Sequence, residues 1–434
     1  MILFEKLSEK IPAWRERVRT LVKEHGDTVI DHVTIEQVYG GMRDIKSLVS
    51  DISYVDPAEG IRLRGYSIPE VLEKLPKPKG AEMPYVGGLY YLLLVGDIPS
   101  EAEALAVEGE WKTRSTIPNN ILTCLESNET QTHPMTLLSQ AVLGLQPGSQ
   151  FTRRYHEGIK KDDQWIPMLE DSLDLTAKLP VLAAHIYNQK YKKAPVKNLD
   201  PNLDMGANFA RMIGVEDRSY EDASRLYFIL HSDHELGNVS AHVTHLVASS
   251  LSDIFFAFSA GLNGLAGPLH GLANQECLNW LLNVYKEFGI VPSTAQLREY
   301  SWNWLKSGRV IPGYGHAVLR VPDPRFTAQL KFAQKHFPDD EILRLAELVY
   351  EIVPEVLKEQ GKAKNPSPNV DAISGTLQYH YSVREFDFYT VLFGIGRALG
   401  VTANAVWARA LGQPIERPKS LTTVMLEEMG KKAT

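Results

Sequence analysis

The chain has 434 residues, 44% hydrophobic and 23% charged, proportions that exclude a disordered or fibrous protein and allow a large core in two or three domains. Lys and Arg number 46 against 53 Asp and Glu; the formal net charge of −7 excludes a generally basic nucleic-acid-binding surface, so a phosphate-bearing ligand needs a local basic cluster. Two cysteines, Cys124 and Cys277, have no CxxC partner, which excludes a disulfide framework and fits a reducing compartment; both read as small buried hydrophobes.

Along the chain, the first thirty residues read as an amphipathic helix in which Glu5, Glu9, Glu16 and Glu24 offset Arg15, Arg17 and Arg19. Those acids argue against a transit peptide, and no apolar core marks a secretory signal. The expected setting is the bacterial cytoplasm, with a mature mitochondrial-matrix protein as the alternative. Strand signals are confined to TVIDHVTIEQVYGG (28–41) and GIRLRGYSIP (60–69), each expected to form a short hairpin. The apolar run GLYYLLLVG (88–96) is about half the ~20 residues a membrane crossing needs, so no membrane span is expected.

From there three- and four-residue apolar spacing dominates: EDASRLYFILHSDHE, a helix over 239–262, GLANQECLNWLLNVYKEFG, DEILRLAELVYEIVPEVLKEQG and a helix over 386–411. The 239–262 and 386–411 helices are apolar on most of their circumference, which implies a very large core or cover by a second subunit. No βαβ alternation supports a nucleotide-binding sheet. Gly/Pro-rich loops at 261–271 and 311–316, with GKAKNPSPN (361–369), flank a helical segment that reads as a smaller domain. A cleft between domains is a natural place for a site, and closure would exclude water from it.

Chemistry-bearing side chains sit where Gly and Pro interrupt helices: His234 in HSDHELGNVSAH (231–242), His270 in NGLAGPLHGLANQE (263–276), His316 in IPGYGHAVLR (311–320) and Asp371 in NPSPNVDAISG (365–375). His270, ahead of a helical pattern, is expected at a helix N-terminus, where the dipole keeps an imidazole neutral and able to donate one hydrogen bond to a developing enolate; a plain helix cap is the other reading. Gly313 and Gly315 let the backbone beside His316 approach a ligand closely, though a turn with an incidental histidine has the same pattern. Asp371 is an N-cap or, if partly buried, a general base. His231, His234, His242 and His245 form H-x2-H…H-x2-H, but with no nearby cysteine and no H-E-x-x-H the pattern is a poor zinc site. Arg325, Arg397 and Arg417 suit a di- or tricarboxylate; Arg397 interrupts an apolar helix and needs an anionic partner there. Arg43, Lys362 and Lys364 are phosphate candidates or a solvated basic face.

Together, HSDHELGNVSAH, GLAGPLHGLANQE, SGRVIPGYGHAVLR, DPRF, GKAKNPSPNVDAISG, FYTVLFGIGRALG and ALGQPIERPKS resemble citrate synthase in its long form, over nearly the whole chain. The resemblance implies a mostly α, two-domain homodimer with shared active sites: a large domain over 1–271 and 383–434 and a mobile, CoA-binding small domain over 272–382. It implies His270 on the acetyl-CoA thioester carbonyl, Asp371 as the base, and His316 on the oxaloacetate ketone. His234, Arg325 and Arg397 would bind oxaloacetate and citrate, with Arg417 from the other subunit. CoA would meet Val310, Ile311, Pro312, Gly313, Gly315 and Asn369, with Arg43, Arg153, Arg320, Lys362 and Lys364 near its phosphates. No cofactor and no metal are implied, acetyl-CoA being a co-substrate. The chain departs from the family pattern at Ser367, where Trp is usual, and Ile373, where His is usual. Both flank the base, which makes 2-methylcitrate synthesis from propionyl-CoA the alternative activity.

Overall fold

The computed structural model describes residues 1–315, 318–363 and 365–433. Helix α1 (Ile2–His25) buries Leu3, Leu7 and Ile11, a stripe at four-residue spacing. The first expected hairpin is absent: residues 28–34 form no strand, and α2 (Ile35–Tyr39) comes next. Thr34 and Gln37 make a reciprocal capping box there, the Thr34 hydroxyl accepting from Gln37 N at 3.2 Å and Gln37 Oε1 from Thr34 N at 3.0 Å. The β-branched residues that suggested a strand, among them Val29 (70% exposed) and Ile30 (68%), join no sheet among the described residues.

The second hairpin forms, within a three-stranded antiparallel sheet of β1 (Ser53–Asp56), β2 (Gly60–Leu63) and β3 (Tyr66–Ser67), in register Ser53↔Leu63 and Leu63↔Tyr66. The rest is helical: α3 (Ile68–Lys74), α4 (Val86–Val95), α5 (Glu101–Arg114), α6 (Asn119–Glu126), α7 (Pro134–Leu145), α8 (Gln150–His156), α9 (Trp165–Lys190), α10 (Met205–Ile213) and α11 (Ser219–Leu230). Buried Glu108 of α5 accepts from Gly87 N in the first turn of α4 and Met205 N in the first turn of α10, both at 2.8 Å. It thereby satisfies an open N–H at two helix ends.

The long helix expected over 239–262 is two helices, α12 (Val239–Ser249) and α13 (Ile254–Leu265). Leu251 takes a positive φ of 67°, and Asp253 caps α13 through Phe255 N and Phe256 N at 3.0 and 3.1 Å. Apolar spacing carried across this break because both helices bury residues in the same core. The remaining helices are α14 (Ala273–Phe288), α15 (Thr294–Lys306), α16 (Pro324–His336), α17 (Glu341–Gln360), α18 (Asp371–His380), α19 (Tyr389–Ala410) and α20 (Thr423–Ala433).

Helix α19 runs through the centre of the main core. The stretch Phe386–Ala410 is long and apolar enough to cross a membrane, but 94% of its most apolar window is buried inside the protein. Each fully buried residue of the Val391, Leu392, Ile395 type contributes roughly 1.5–3 kcal/mol of apolar burial. A second apolar cluster is built wholly between residues 280 and 357, from Trp280, Leu281 and Val284 of α14, Leu297 of α15, and Leu345 and Val353 of α17. Cys277 is buried as expected, but Cys124 is exposed near the end of α6, beside the stripe that buries Ile121 and Leu125.

Candidate active site

The N-terminus of α12 is the centre of the site. Asn238 caps it, its Oδ1 accepting from Ala241 N at 3.1 Å, and the same oxygen takes a bond from Arg397 NH1 at 2.8 Å. The open N–H of Ser240, in the first turn, donates to Nε2 of His270 at 3.2 Å, and the Ser240 hydroxyl lies 2.9 Å from the same nitrogen. A backbone N–H can only donate, so Nε2 is the unprotonated nitrogen and the proton of the neutral ring is on Nδ1. Burial, reinforced by Arg397, pushes the His270 pKa down to about 4. The sequence placed His270 at the start of the next helix; that helix begins three residues later, at Ala273. The helix end that acts on the ring is α12, brought in from thirty residues upstream.

Arg397, on α19, is 2% exposed; desolvation lowers its pKa to about 10 against the opposing charge of Asp233. Its Nε has no hydrogen-bond partner among the described residues, and the guanidinium lies 4.9 Å from the Phe393 ring centroid. Arg325 is different. It grips Asp323 through Nε to Oδ1 (3.0 Å) and NH2 to Oδ2 (2.7 Å), with Asp323 0% and Arg325 4% exposed. Burial alone would raise the Asp323 pKa, but Arg325 outweighs it and the net shift is downward. Asp323 was not legible as a site residue, and it gives Arg325 an anionic partner inside the chain through Nε and NH2. His234 packs nearby, its carbonyl accepting from Asn238 Nδ2 at 2.8 Å and its ring close enough to lower the Asp323 pKa.

Asp371 is the first residue of α18, not its cap; Val370 holds the cap position, and Asp371 N donates to Asn369 Oδ1 at 3.0 Å. Desolvation raises its pKa to about 6, with Arg325 and Arg397 pulling the other way and Asp323 adding to the rise. Arg397 thus acts electrostatically on both Asp371 and His270, which places acid and imidazole around one guanidinium.

Two loops zip together below Asp371. Asn369 N donates to Gly313 O (2.9 Å), Gly315 N to Ser367 O (3.1 Å) and Asp323 N to Pro368 O (3.1 Å), with Tyr314 bridged to Pro368. His316, one residue beyond, and Lys364 lie outside the described residues. Gly313 is required here: φ is +79°, and a Cβ would lie 2.9 Å from Ala372 Cα and 2.8 Å from Cys277 Sγ. Gly313→Ala is expected to cost roughly 1–3 kcal/mol of stability and to lower turnover by displacing α18. A melting temperature and kcat both equal to those of the parent would refute that packing argument.

Val310, Ile311 and Lys362 line a cavity of about 270 Å³ with Arg309, Tyr314 and Leu357. The remaining basic candidates are not part of this cluster. Arg43 is exposed near the N-terminus. Arg153 sits on α8 beside Gln150 (2.5 Å) and Glu157 (3.6 Å). Arg320 binds the carbonyls of Val318 and Leu319 at 2.8 and 2.9 Å. Arg417 is exposed in the segment between α19 and α20. Among the described residues no group of His, Cys, Asp and Glu could hold a metal ion. Asn238 and Ser240 were also missed, although N-V-S ahead of a helical run is a capping signal.

A helical frame that sets a carboxyl of raised pKa and an imidazole kept neutral around buried arginines is that of an acid–base enzyme acting on an anionic substrate. A family model described as citrate synthase, C-terminal domain, matches residues 41–419. The chain is 51% identical over 431 residues to a probable mitochondrial citrate synthase of Glossina morsitans morsitans, covering 99% of this chain and 93% of that protein. It is likewise 51% identical over 422 residues to a mitochondrial citrate synthase of Xiphias gladius, covering 97% and 90%. The crystal structure of citrate synthase from Pyrobaculum aerophilum shares its fold at a TM-score of 0.76, with 24% identity over 88% of this chain and 92% of that one. The chain belongs to the citrate synthase family and is an enzyme.

Proposed function

We propose that the protein condenses acetyl-CoA with oxaloacetate and water to give citrate and CoA. Ionised Asp371 removes a methyl proton of the thioester while the Nδ1–H of His270 donates to the carbonyl oxygen, which gains charge as the enolate forms. The enolate carbon attacks the ketone of oxaloacetate, and His316 delivers a proton to the new alkoxide. Water then cleaves the citryl thioester, releasing CoA thiol and citrate. Arg397 and Arg325, with His234, hold the oxaloacetate carboxylates. The observation that carries this reading is the tautomer of His270: its Nε2 is occupied by Ser240 N–H, which leaves Nδ1–H to donate.

Residues 272–382 are proposed as the mobile CoA-binding domain, supported by their separate apolar cluster and the Val310–Ile311–Lys362 cavity. No metal or other cofactor takes part in this reading. A homodimer with shared sites is supported by exposed apolar residues at both ends of the chain, among them Val29, Ile30, Val424 and Met425. The mitochondrial names of its relatives support the matrix as the compartment.

The test is thiol release in the presence of oxaloacetate with acetyl-CoA and propionyl-CoA in parallel. A clear preference for acetyl-CoA in kcat/KM is expected. A propionyl preference would make the product 2-methylcitrate and would trace to Ser367 and Ile373, the two departures flanking the base.

A further inference from the structure

The two histidines of α12 that the catalytic reading leaves unused have a common partner. His242 Nε2 lies 3.1 Å from Glu416 Oε2, and His245 Nε2 lies 3.0 Å from Glu416 Oε1. The first is a hydrogen bond; the second lies off the N–H axis and acts as a close charge–dipole contact. A third anchor comes from the same helix, because Glu416 N donates to Ser249 Oγ at 3.0 Å. Positions 242, 245 and 249 keep i, i+3, i+7 spacing and form one stripe on α12. Upstream, Arg409 NH2 binds Gln413 O at 3.1 Å, so the chain is held from its exit at α19 as far as Glu416.

The next residue is Arg417, exposed and with no ion-pair or hydrogen-bond partner among the described residues. It precedes Pro418, which biases its backbone to an extended conformation in which neighbouring side chains project to different sides. Glu416 is held against α12 while Arg417, the next residue, is exposed to solvent.

We propose that Glu416 is a positioning residue: clasped by His242, His245 and Ser249, it sets the direction in which Arg417 is offered to the oxaloacetate site of a second copy of the chain. This rests on the reading of Arg417 as a carboxylate-binding residue across the dimer. The same helix holds Asn238 and Ser240, which fix Arg397 and His270. Helix α12 thus holds one subunit's catalytic imidazole through Ser240 and anchors the segment that bears Arg417.

Steady-state kinetics of Glu416→Ala, Arg417→Ala and the double variant, assayed as dimers, test this. Glu416→Ala is expected to raise the oxaloacetate KM by about tenfold while kcat at saturation and the acetyl-CoA KM stay near parent values. Arg417→Ala should do at least as much, and the double variant no more than Arg417→Ala alone. Glu416→Gln, which keeps a carbonyl acceptor, should recover part of the loss. A general structural role would instead lower kcat and the melting temperature and disturb both KM values. An unchanged oxaloacetate KM in Glu416→Ala beside a raised one in Arg417→Ala would overturn the clasp, as would additive effects in the double variant. An unchanged KM in Arg417→Ala would overturn the reading of Arg417, and the clasp with it. Should Glu416→Ala not fold, Ser249→Ala, a helix-favouring change that removes one anchor, carries the test: a parent-like oxaloacetate KM there refutes the proposal.

Discussion

Replacing Asp371 by Asn is expected to lower kcat by roughly 10²–10⁴-fold, the range that a positioned general base supplies, with the fold intact. Asparagine fills the same space and keeps the Asp371 N to Asn369 Oδ1 bond, so α18 begins unchanged. What disappears is the ionisable oxygen. Desolvation has raised the carboxyl to about 6, so the parent's kcat/KM should fall as pH drops through 6, where the base becomes protonated. The residual rate of the variant should lack that acid limb. Stability has the opposite dependence. A carboxyl whose folded pKa lies above the ordinary 3.8 binds more protons folded than unfolded between those values, so it costs stability as pH rises through that window. At pH 7 the Asn variant should therefore melt at or above the parent temperature, and near pH 3 the two should coincide. Near-parent turnover, or a variant that loses activity only because it unfolds, would remove Asp371 from its role.

That prediction was reachable from sequence in outline only. The pattern N-P-S-P-N-V-D showed a loop feeding a helix with a carboxylate at its start, and α18 begins at Asp371. The sequence did not show what surrounds that carboxylate, because Asp323, Arg325 and Arg397 come from other segments and meet it only in the fold. His270 took the same course. Its neutrality was expected from a helix dipole, and the ring is indeed held at a helix end, but by α12 through Ser240 rather than by the next helix in sequence. Local spacing finds the residue at an interruption; it cannot say which distant element fills the gap.

The largest misreadings have the same origin. Residues 28–34 are rich in β-branched side chains (Thr28, Val29, Ile30, Val33 and Thr34), a strand signal that needs a neighbouring strand before it becomes structure. No strand lies there, and the Thr34–Gln37 capping box starts a helix at Ile35 instead. The run 239–262 read as one helix because both halves are apolar, while the break rests on the positive φ of Leu251 and the cap made by Asp253. The break matters for the site, since it lets α12 end at Ser249, beside the segment bearing Glu416.

His270→Ala is expected to lower kcat by roughly 10²–10³-fold, the effect of removing one preorganised donor from a developing oxyanion. The mechanism needs a donor that holds its proton while the enolate forms, and a ring whose pKa has been pushed down to about 4 stays neutral throughout the working range. The parent should therefore show no loss of kcat/KM assignable to His270 from pH 5 upward, and one acid limb near 6 from Asp371 alone. The alanine variant also strands the Ser240 N–H, which loses its acceptor in a part-buried position and costs about 1–3 kcal/mol. Rate and stability should thus fall together here, in contrast to Asp371→Asn, where only the rate falls. Ser240→Ala separates the two terms: it keeps the backbone N–H on Nε2 and removes only the hydroxyl at 2.9 Å, so the tautomer survives and the rate loss should be the smaller. An alkaline fall in parent kcat/KM that vanishes in His270→Ala would mean a charged imidazolium is the working donor, and the neutral ring held by α12 would lose its place in the mechanism.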